Sequence, residues 1–224
     1  MAVRCDVEMS ANIPEFGSSR RLPLAVVRPQ LTPERRDRRF KHLPERTVVS
    51  QPLAYLNVRV DGRETSYFEW LGAGIYCAGR RAAAQNGRSP LLQELQYGFS
   101  EHFFYLRVDG LPGSLSGLRN FEFQITLRGD EELRLLVAIE EGSFAGCLLD
   151  TPGLCILGPH ELVEVAFDRI LELAIGRRLI GLAEQTSFML NVALCKNGLP
   201  VDVLPPDGSL EVMLGPDAFA WSAE

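Results

Sequence analysis

Two consecutive runs of alternating apolar and polar residues constrain the fold of this chain more than any other feature. Every second residue of Phe121–Arg128 is apolar, and a similar pattern returns in Leu133–Ile139 after the dipeptide Gly129-Asp130. A period of two places the apolar side chains of each run on one face, as in a half-buried strand. Because a short glycine-containing turn joins the two runs, they predict an antiparallel hairpin.

Similar runs recur along the rest of the chain, separated by turn dipeptides such as Asp61-Gly62 and Asn197-Gly198. The further predicted strands are Leu53–Val60, Glu64–Leu71, Leu91–Phe99, Phe103–Val108, Leu162–Phe167, Leu171–Ile175, Phe188–Cys195 and Leu210–Leu214. Helix is expected only at Ala82–Asn86 or Arg177–Ala183, because no long amphipathic pattern occurs. Short strands at this spacing predict an all-β fold, an antiparallel β-sandwich.

Residues 1–50 differ from the remainder in charge and proline content. Basic residues concentrate between Arg20 and Arg46, and five prolines interrupt any regular pattern. A basic run can bind anions, but a solvated linker is the commoner case. We therefore predict an irregular, partly disordered extension over 1–50, with its first 30 residues poorly ordered, and a β-sandwich domain over 51–224.

Composition excludes several classes of protein. The net charge of −6 lacks the basic excess that nucleic-acid binding requires, so no nucleic-acid partner is expected. No signal peptide and no apolar stretch of about 18 residues is visible, so we expect no membrane contact and a cytoplasmic location. The five cysteines and three histidines are scattered, which argues against a disulfide framework or a metal site, and no cofactor is expected.

Several sequence blocks resemble a known family. The blocks are Asp61–Gly74 (DGRETSYFEWLGAG), Leu95–Phe99, Phe104–Asp109, Leu171–Ile175, Val201–Pro205 and Phe219–Trp221. In order and spacing they resemble the C-terminal β-domain that follows the catalytic barrel in family 57 glycoside hydrolases of the amylase and amylopullulanase type. A more distant similarity links the chain to family 9 carbohydrate-binding modules and DOMON-like β-sandwiches. The resemblance implies a β-sandwich that accompanies carbohydrate chemistry.

The resemblance does not extend to the catalytic barrel. No His-Gln-Pro motif occurs, and the 50 residues ahead of the sandwich are too few for a barrel. Within the matching region, residues 82–87 (AAAQNG) stand where the family tends to have Gly-Ala-Met-His. An accessory rather than a catalytic role is therefore expected, and we assign no catalytic residue.

Aromatic and polar side chains in two stretches are the candidate ligand-binding residues. Aromatic rings can stack on the apolar faces of sugar rings while charged neighbours bind the hydroxyl groups. The candidates are Tyr67, Trp70, Tyr76, Arg80, Glu94 and Tyr97, with Arg81 as a further polar neighbour. Of these, Tyr67, Tyr76 and Tyr97 are expected at the surface, whereas a core position is favoured for Trp70.

Candidate carboxylates for a catalytic pair are plentiful, but their spacing alone does not show that any two converge. The candidates are Glu69, Glu94, Asp109, Glu172 and Asp202. Glycoside hydrolysis needs two carboxyl groups about 5–10 Å apart. We therefore expect a non-catalytic module that binds an α-glucan or oligosaccharide. The alternative is an interaction module that docks onto a separate glycoside hydrolase chain or forms a homodimer.

Overall fold

The computed structural model describes residues 43–80, 90–116, 119–152, 154–158, 160–180 and 187–213. Its strands form two antiparallel sheets, so the predicted all-β sandwich is confirmed. The first sheet contains β1 (Val48–Ser50), β2 (Gly74–Cys77), β3 (Leu92–Phe99), β4 (Phe103–Gly110), β9 (Val163–Phe167) and β10 (Leu171–Gly176). The second contains β5 (Asn120–Arg128), β6 (Glu132–Glu140), β7 (Ser143–Thr151), β8 (Leu154–Leu157), β11 (Ser187–Lys196), β12 (Leu199–Leu204) and β13 (Leu210–Met213).

The order of strands brings distant parts of the chain together. The first sheet runs β1-β2-β3-β4-β10-β9, and the second runs β12-β11-β5-β6-β7-β8 with β13 also paired to β11. The predicted hairpin is confirmed as β5 and β6, in which Arg128 faces Glu132 across a three-residue turn. Strand β1 precedes residue 51, so the sheet begins inside the segment predicted to be an extension.

The core lies between the facing sheets and follows the alternation of the sequence. Phe123 and Ile125 of β5 are fully buried, as are Leu106 of β4 and Leu173 of β10. Phe104 and Phe188 meet edge to face across the two sheets, with ring centroids 5.2 Å apart. Aromatic pairs favour this geometry, which adds to the free energy gained by burying the rings.

Two predicted strands are wrong. Leu53–Val60 is irregular except for a single bridge between Tyr55 and Phe99, and Glu64–Leu71 contains a 3₁₀ helix over Tyr67–Trp70. The side chain of Ser66 caps that helix by accepting a hydrogen bond from Phe68 N–H. We call residues 52–73 the cover segment, because it lies against the outer face of the first sheet.

Strands β1, β2, β7, β8 and β12 are not among those that the sequence pattern predicts. In β7, a β-bulge breaks the alternation. Ala138 faces Gly146 and Ile139 faces Phe144, so Ala145 is an extra residue in β7. The predicted helix at Arg177–Ala183 is a 3₁₀ helix over Arg177–Ile180. Residues 82–86 and 181–183 lie outside the described residues, as do residues 1–30 and the block Phe219–Trp221. No helix in the described ranges is long and apolar enough to cross a membrane.

Candidate functional site

The structure separates the predicted ligand-binding residues instead of bringing them together. Tyr76 and Tyr97 point into the core between the sheets, where they are 6% and 0% exposed, so their predicted surface position is wrong. Tyr97 donates its hydroxyl hydrogen to the carbonyl oxygen of Ser50 at 2.7 Å. Burial raises the pKa of each phenol to about 12. Alternation explains the error, because both tyrosines share the inward face with Leu95 of β3.

Glu94 and Arg80 also lie apart from the tyrosines. Glu94 projects from the outer face of the first sheet, opposite to the face that carries Tyr97. Arg80 is exposed, and its Nε donates to the carbonyl oxygen of Leu43 at 3.0 Å. Tyr67 begins the 3₁₀ helix, but its side chain lies outside the described part, as does the whole of Arg81.

Trp70 is buried in a second apolar cluster on the outer face of the first sheet, which confirms the favoured core position. This outer cluster joins Leu56, Trp70 and Ala73 of the cover segment to Tyr105 of β4 and Ala174 of β10. The indole is 7% exposed, so its ring is not offered to solvent as a platform. The cover segment therefore closes the outer face of the sheet much as the second sheet closes its inner face.

A buried carboxylate beside the outer cluster fastens the cover segment to the sheet. Glu172 of β10 is 0% exposed and accepts three N–H hydrogen bonds from the cover segment. Trp70 Nε1 donates to one carboxylate oxygen at 3.1 Å, and the backbone N–H groups of Asp61 and Gly62 donate to the other at 3.1 and 3.0 Å. Burial raises the pKa of Glu172, although the three N–H donors lower it.

Gly62 completes this attachment because no other residue fits its position. Its φ of +75° is in the left-handed region, and a Cβ atom would lie 2.7 Å from the backbone nitrogen of Asp168. Its carbonyl oxygen accepts N–H hydrogen bonds from Arg169 and Ile170 at 3.1 and 3.4 Å. The turn at Asp61-Gly62 is thus held between Glu172 and the turn that joins β9 to β10.

A second set of charged groups lies on the same outer face. Arg107 of β4 faces Glu172 in register and is 7% exposed. Its Nε donates to Asp109 at 2.9 Å, and its guanidinium reaches Glu64 of the cover segment at 3.1 Å. Burial raises the pKa of Asp109, although the Arg107 guanidinium opposes that shift. The network is therefore a further attachment of the cover segment.

Glu94 and Asp109 are the two candidate carboxylates that occupy paired positions on neighbouring strands. They face each other in register between β3 and β4, because a bulge at Gln93 turns Glu94 outward. Burial raises the pKa of Glu94, and the Gln96 amide that donates to it at 2.8 Å opposes the shift. Asp109 is held by Arg107 and Glu94 by Gln96, so each carboxylate is bound by a neighbouring side chain of its own strand.

The other candidate carboxylates stabilise local structure. Asp202 of β12 accepts the backbone N–H groups of Leu91 and Leu92 at 2.6 and 2.7 Å, which ties the second sheet to the start of β3. Glu69 accepts a hydrogen bond from the Thr65 hydroxyl at 3.1 Å within the cover segment. Among the described residues, no group of three or more His, Cys, Asp or Glu side chains could hold a metal ion.

The outward side of the cover segment presents large apolar side chains to solvent. We call Leu53, Tyr55, Phe68 and Leu71 the apolar strip; they are 77%, 47%, 78% and 53% exposed. Leu71 follows the 3₁₀ helix as its C-cap, and its N–H donates to the carbonyl oxygen of Phe68 at 3.4 Å, which keeps the two residues close together. A hydrogen bond from Leu53 N–H to the Gly72 carbonyl, 2.8 Å long, brings Leu53 beside Leu71. Neither Phe68 nor Tyr55 was selected from the sequence as a surface ring with a binding role.

Other clefts are formed by the described residues elsewhere on the sandwich, and two of them bear on binding. One has a volume of about 490 Å³ and is bordered by Phe144, His160 and Glu164; we call it the edge cleft because it lies along the edge strand β9. The other, of about 370 Å³, lies among the loops around Leu115 and Arg169. Glu94 and Asp109 line neither of the two.

No family model, no curated protein and no solved structure matches this chain.

Proposed function

We propose that the chain is a non-catalytic, carbohydrate-associated β-sandwich that acts by binding an α-glucan or a related oligosaccharide. It would resemble the accessory domain of family 57 glycoside hydrolases, as its sequence blocks do. The observation that carries this proposal is the apolar strip. A surface of this kind marks a binding site when it is contiguous, because single exposed apolar residues are common whereas patches are not.

The attachment of the cover segment supports a binding role for the strip. A binding surface loses less conformational entropy on association when its backbone is already fixed. Glu172 and Gly62 hold the segment through contacts that are buried or sterically tight, and the buried Arg107 adds an ion pair to the exposed Glu64. In this proposal Phe68 and Tyr55 take the stacking role that the sequence assigned to Tyr76 and Tyr97.

The carboxylates of the outer face support a role without catalysis. Glu172 accepts three hydrogen bonds from the cover segment, and Asp109 is bound by Arg107. A general acid or base must lie within reach of the substrate proton. These carboxylates instead form hydrogen bonds within the protein itself. We place the protein in the cytoplasm, because its five cysteines are scattered along the sequence and form no disulfide framework of the kind that secreted proteins use.

Isothermal titration with maltoheptaose and with glycogen tests the proposal. We expect saturable heat for the wild type and a loss of about three- to tenfold in affinity for Phe68→Ser. Leu157→Ser on β8 is the matched control, because Leu157 is equally exposed (83%) but belongs to the opposite sheet. A folded wild-type protein that gives no heat with either glucan at millimolar glucose units would contradict carbohydrate binding.

The aliphatic members of the strip favour one second candidate, docking onto a protein partner. Leu53 and Leu71 flank the rings, and leucine side chains offer sugar hydroxyl groups no hydrogen bond. The partner would be a separate glycoside hydrolase chain or a second copy of this chain. Size-exclusion chromatography with light scattering tests the homodimer. A wild-type dimer that Leu71→Ser converts to a monomer would support it. A wild-type protein that stays monomeric at high concentration would contradict it.

A further inference from the structure

The edge cleft lies at an edge of the sandwich, where the two sheets are separated. Edge strand β9 of the first sheet approaches β7 of the second, and the cleft of about 490 Å³ opens between them. Pockets that bind small molecules commonly measure about 300–1,000 Å³ and combine apolar walls with a few polar groups. The edge cleft contains no residue of the apolar strip, so it is a separate candidate site.

The wall of the cleft is apolar. Phe144 of β7 and Val165 of β9 are half-buried and pack against the main core with their inner sides. Val163 and Cys147 are buried behind them, at 3% and 5% exposure. The thiol of Cys147 donates to the carbonyl of Gly158 at 3.4 Å, and burial raises its pKa, so it acts as an apolar wall rather than as a nucleophile.

The rim of the cleft carries one oriented donor and two acceptors. The backbone N–H of Leu162 donates to Nδ1 of His160 at 3.1 Å, so the neutral imidazole carries its hydrogen on Nε2. Glu161 and Glu164 are exposed beside it, and within the described ranges neither carboxylate takes part in an ion pair. Two backbone hydrogen bonds hold the residues on either side of the histidine's connection to β9. Gly158 N–H donates to the Cys147 carbonyl, and Val163 N–H donates to the His160 carbonyl.

We infer that the edge cleft binds a polyhydroxylated ring, such as a single pyranose unit or a cyclitol, through the Phe144 wall and the rim of His160, Glu161 and Glu164. Such a ring has an apolar C–H face for the wall and hydroxyl groups for the rim. Each hydroxyl both donates and accepts, so it satisfies the carboxylates and the imidazole N–H together. An ammonium ion only donates, and it would leave the imidazole N–H without an acceptor. This argument rests on the donors and acceptors of the cleft and stands without the proposed function of the strip.

The test is a titration followed by nuclear magnetic resonance of the ¹⁵N-labelled full chain. The probes are glucose, myo-inositol and, as the cationic competitor, butylammonium. We expect glucose or inositol to shift the imidazole resonances of His160 and the amides of β9 in a saturable manner. Glu164→Thr, which removes one exposed carboxylate from a strand position, should weaken this binding about tenfold. Glu131→Thr in the β5–β6 turn is the matched control, because that glutamate is exposed and lies outside the cleft.

The outcomes separate this site from the apolar strip. Equal affinities for Glu164→Thr and Glu131→Thr would overturn the inference, as would binding of butylammonium with no response to either polyol. If maltoheptaose shifts only residues around Phe68 and neither glucose nor inositol shifts His160, the proposed carbohydrate function stands and the cleft site falls. If glucose shifts His160 while the strip responds to no glucan, the cleft site stands and the strip needs another ligand.

Discussion

The two faces of the first sheet are both buried, but they are buried by different chemistry. On the inner face, apolar residues such as Leu106 and Leu173 meet apolar residues of the second sheet. On the outer face, Arg107 and Glu172 occupy the intervening positions and are almost as fully buried, at 7% and 0% exposure. The inner face gains its stability from non-directional burial, whereas the outer face adds to a buried apolar cluster the hydrogen bonds that fix one particular cover segment.

The largest loss of stability is expected for a substitution on the inner face. Phe123→Ala should lower the free energy of unfolding by about 3–5 kcal/mol, because it removes a fully buried ring and leaves a cavity between the sheets. Urea unfolding followed by circular dichroism measures the change. A loss below about 1 kcal/mol would show that the two sheets do not pack as tightly as described.

A smaller effect is expected for the carboxylate of the outer face. Glu172→Gln places an amide NH₂ against N–H donors of the cover segment, so at least one donor loses its acceptor. The expected loss is about 1–3 kcal/mol. Glu164→Gln, an exposed position on the neighbouring strand, is the control and should change stability little. Equal stability of the two variants in urea would contradict the attachment by Glu172.

The half-buried Glu94 makes a contribution to the free energy of unfolding that depends on pH. Its pKa is raised in the folded protein, so its favourable contribution to stability is complete below the ordinary glutamate pKa and is lost as the pH rises through the raised value. Glu94→Gln removes this titration. The stability of the wild type relative to the variant should therefore increase as the pH is lowered from 7 to 4. A difference that is constant over this range, or that changes in the opposite direction, would show that Glu94 is not buried as described.

The smallest effect is expected at the rim of the cover segment. Arg63 and Asp168 form an ion pair 2.7 Å long, but their side chains are 66% and 45% exposed. Exposed pairs contribute about 0–1 kcal/mol, and salt screens them. Arg63→Ala should lower stability by no more than that amount, with the difference shrinking in 1 M NaCl. A larger loss of stability would contradict this expectation and show that the ion pair is one of the main interactions that hold the cover segment.

The same contrast explains which parts of the fold could be predicted from the sequence. The alternation of Phe121–Arg128 specifies both a strand and its inward face. Alternation in Leu56, Val58 and Val60 is equally regular and correctly indicates one buried side. That side packs on the outer face of the first sheet. The backbone of these residues, however, belongs to no strand of either sheet. Periodicity reports which side chains are buried; it does not report which backbone pairs with which.

The candidate site could be predicted only in part, for a related reason. Glu172 interrupts the apolar run Leu171–Ile175, and that interruption marks it as unusual. Its partners Asp61, Gly62 and Trp70 are 111, 110 and 102 positions away in the sequence, so no local pattern could identify them. The crowding of aromatic residues in the sequence does not reveal on which face of a strand each ring lies, and Tyr76 and Tyr97 both lie on the inner face. The rings of the apolar strip are exposed because the cover segment turns them outward.

Amide and indole hydrogen exchange of the wild-type protein tests the central claim, that the cover segment is a fixed part of the fold. The account predicts that Gly62 N–H and Trp70 Nε1–H, which both donate to buried Glu172, exchange as slowly as the amides of β10. Exchange of these two hydrogens at the rate of an open loop, while β10 stays protected, would contradict it.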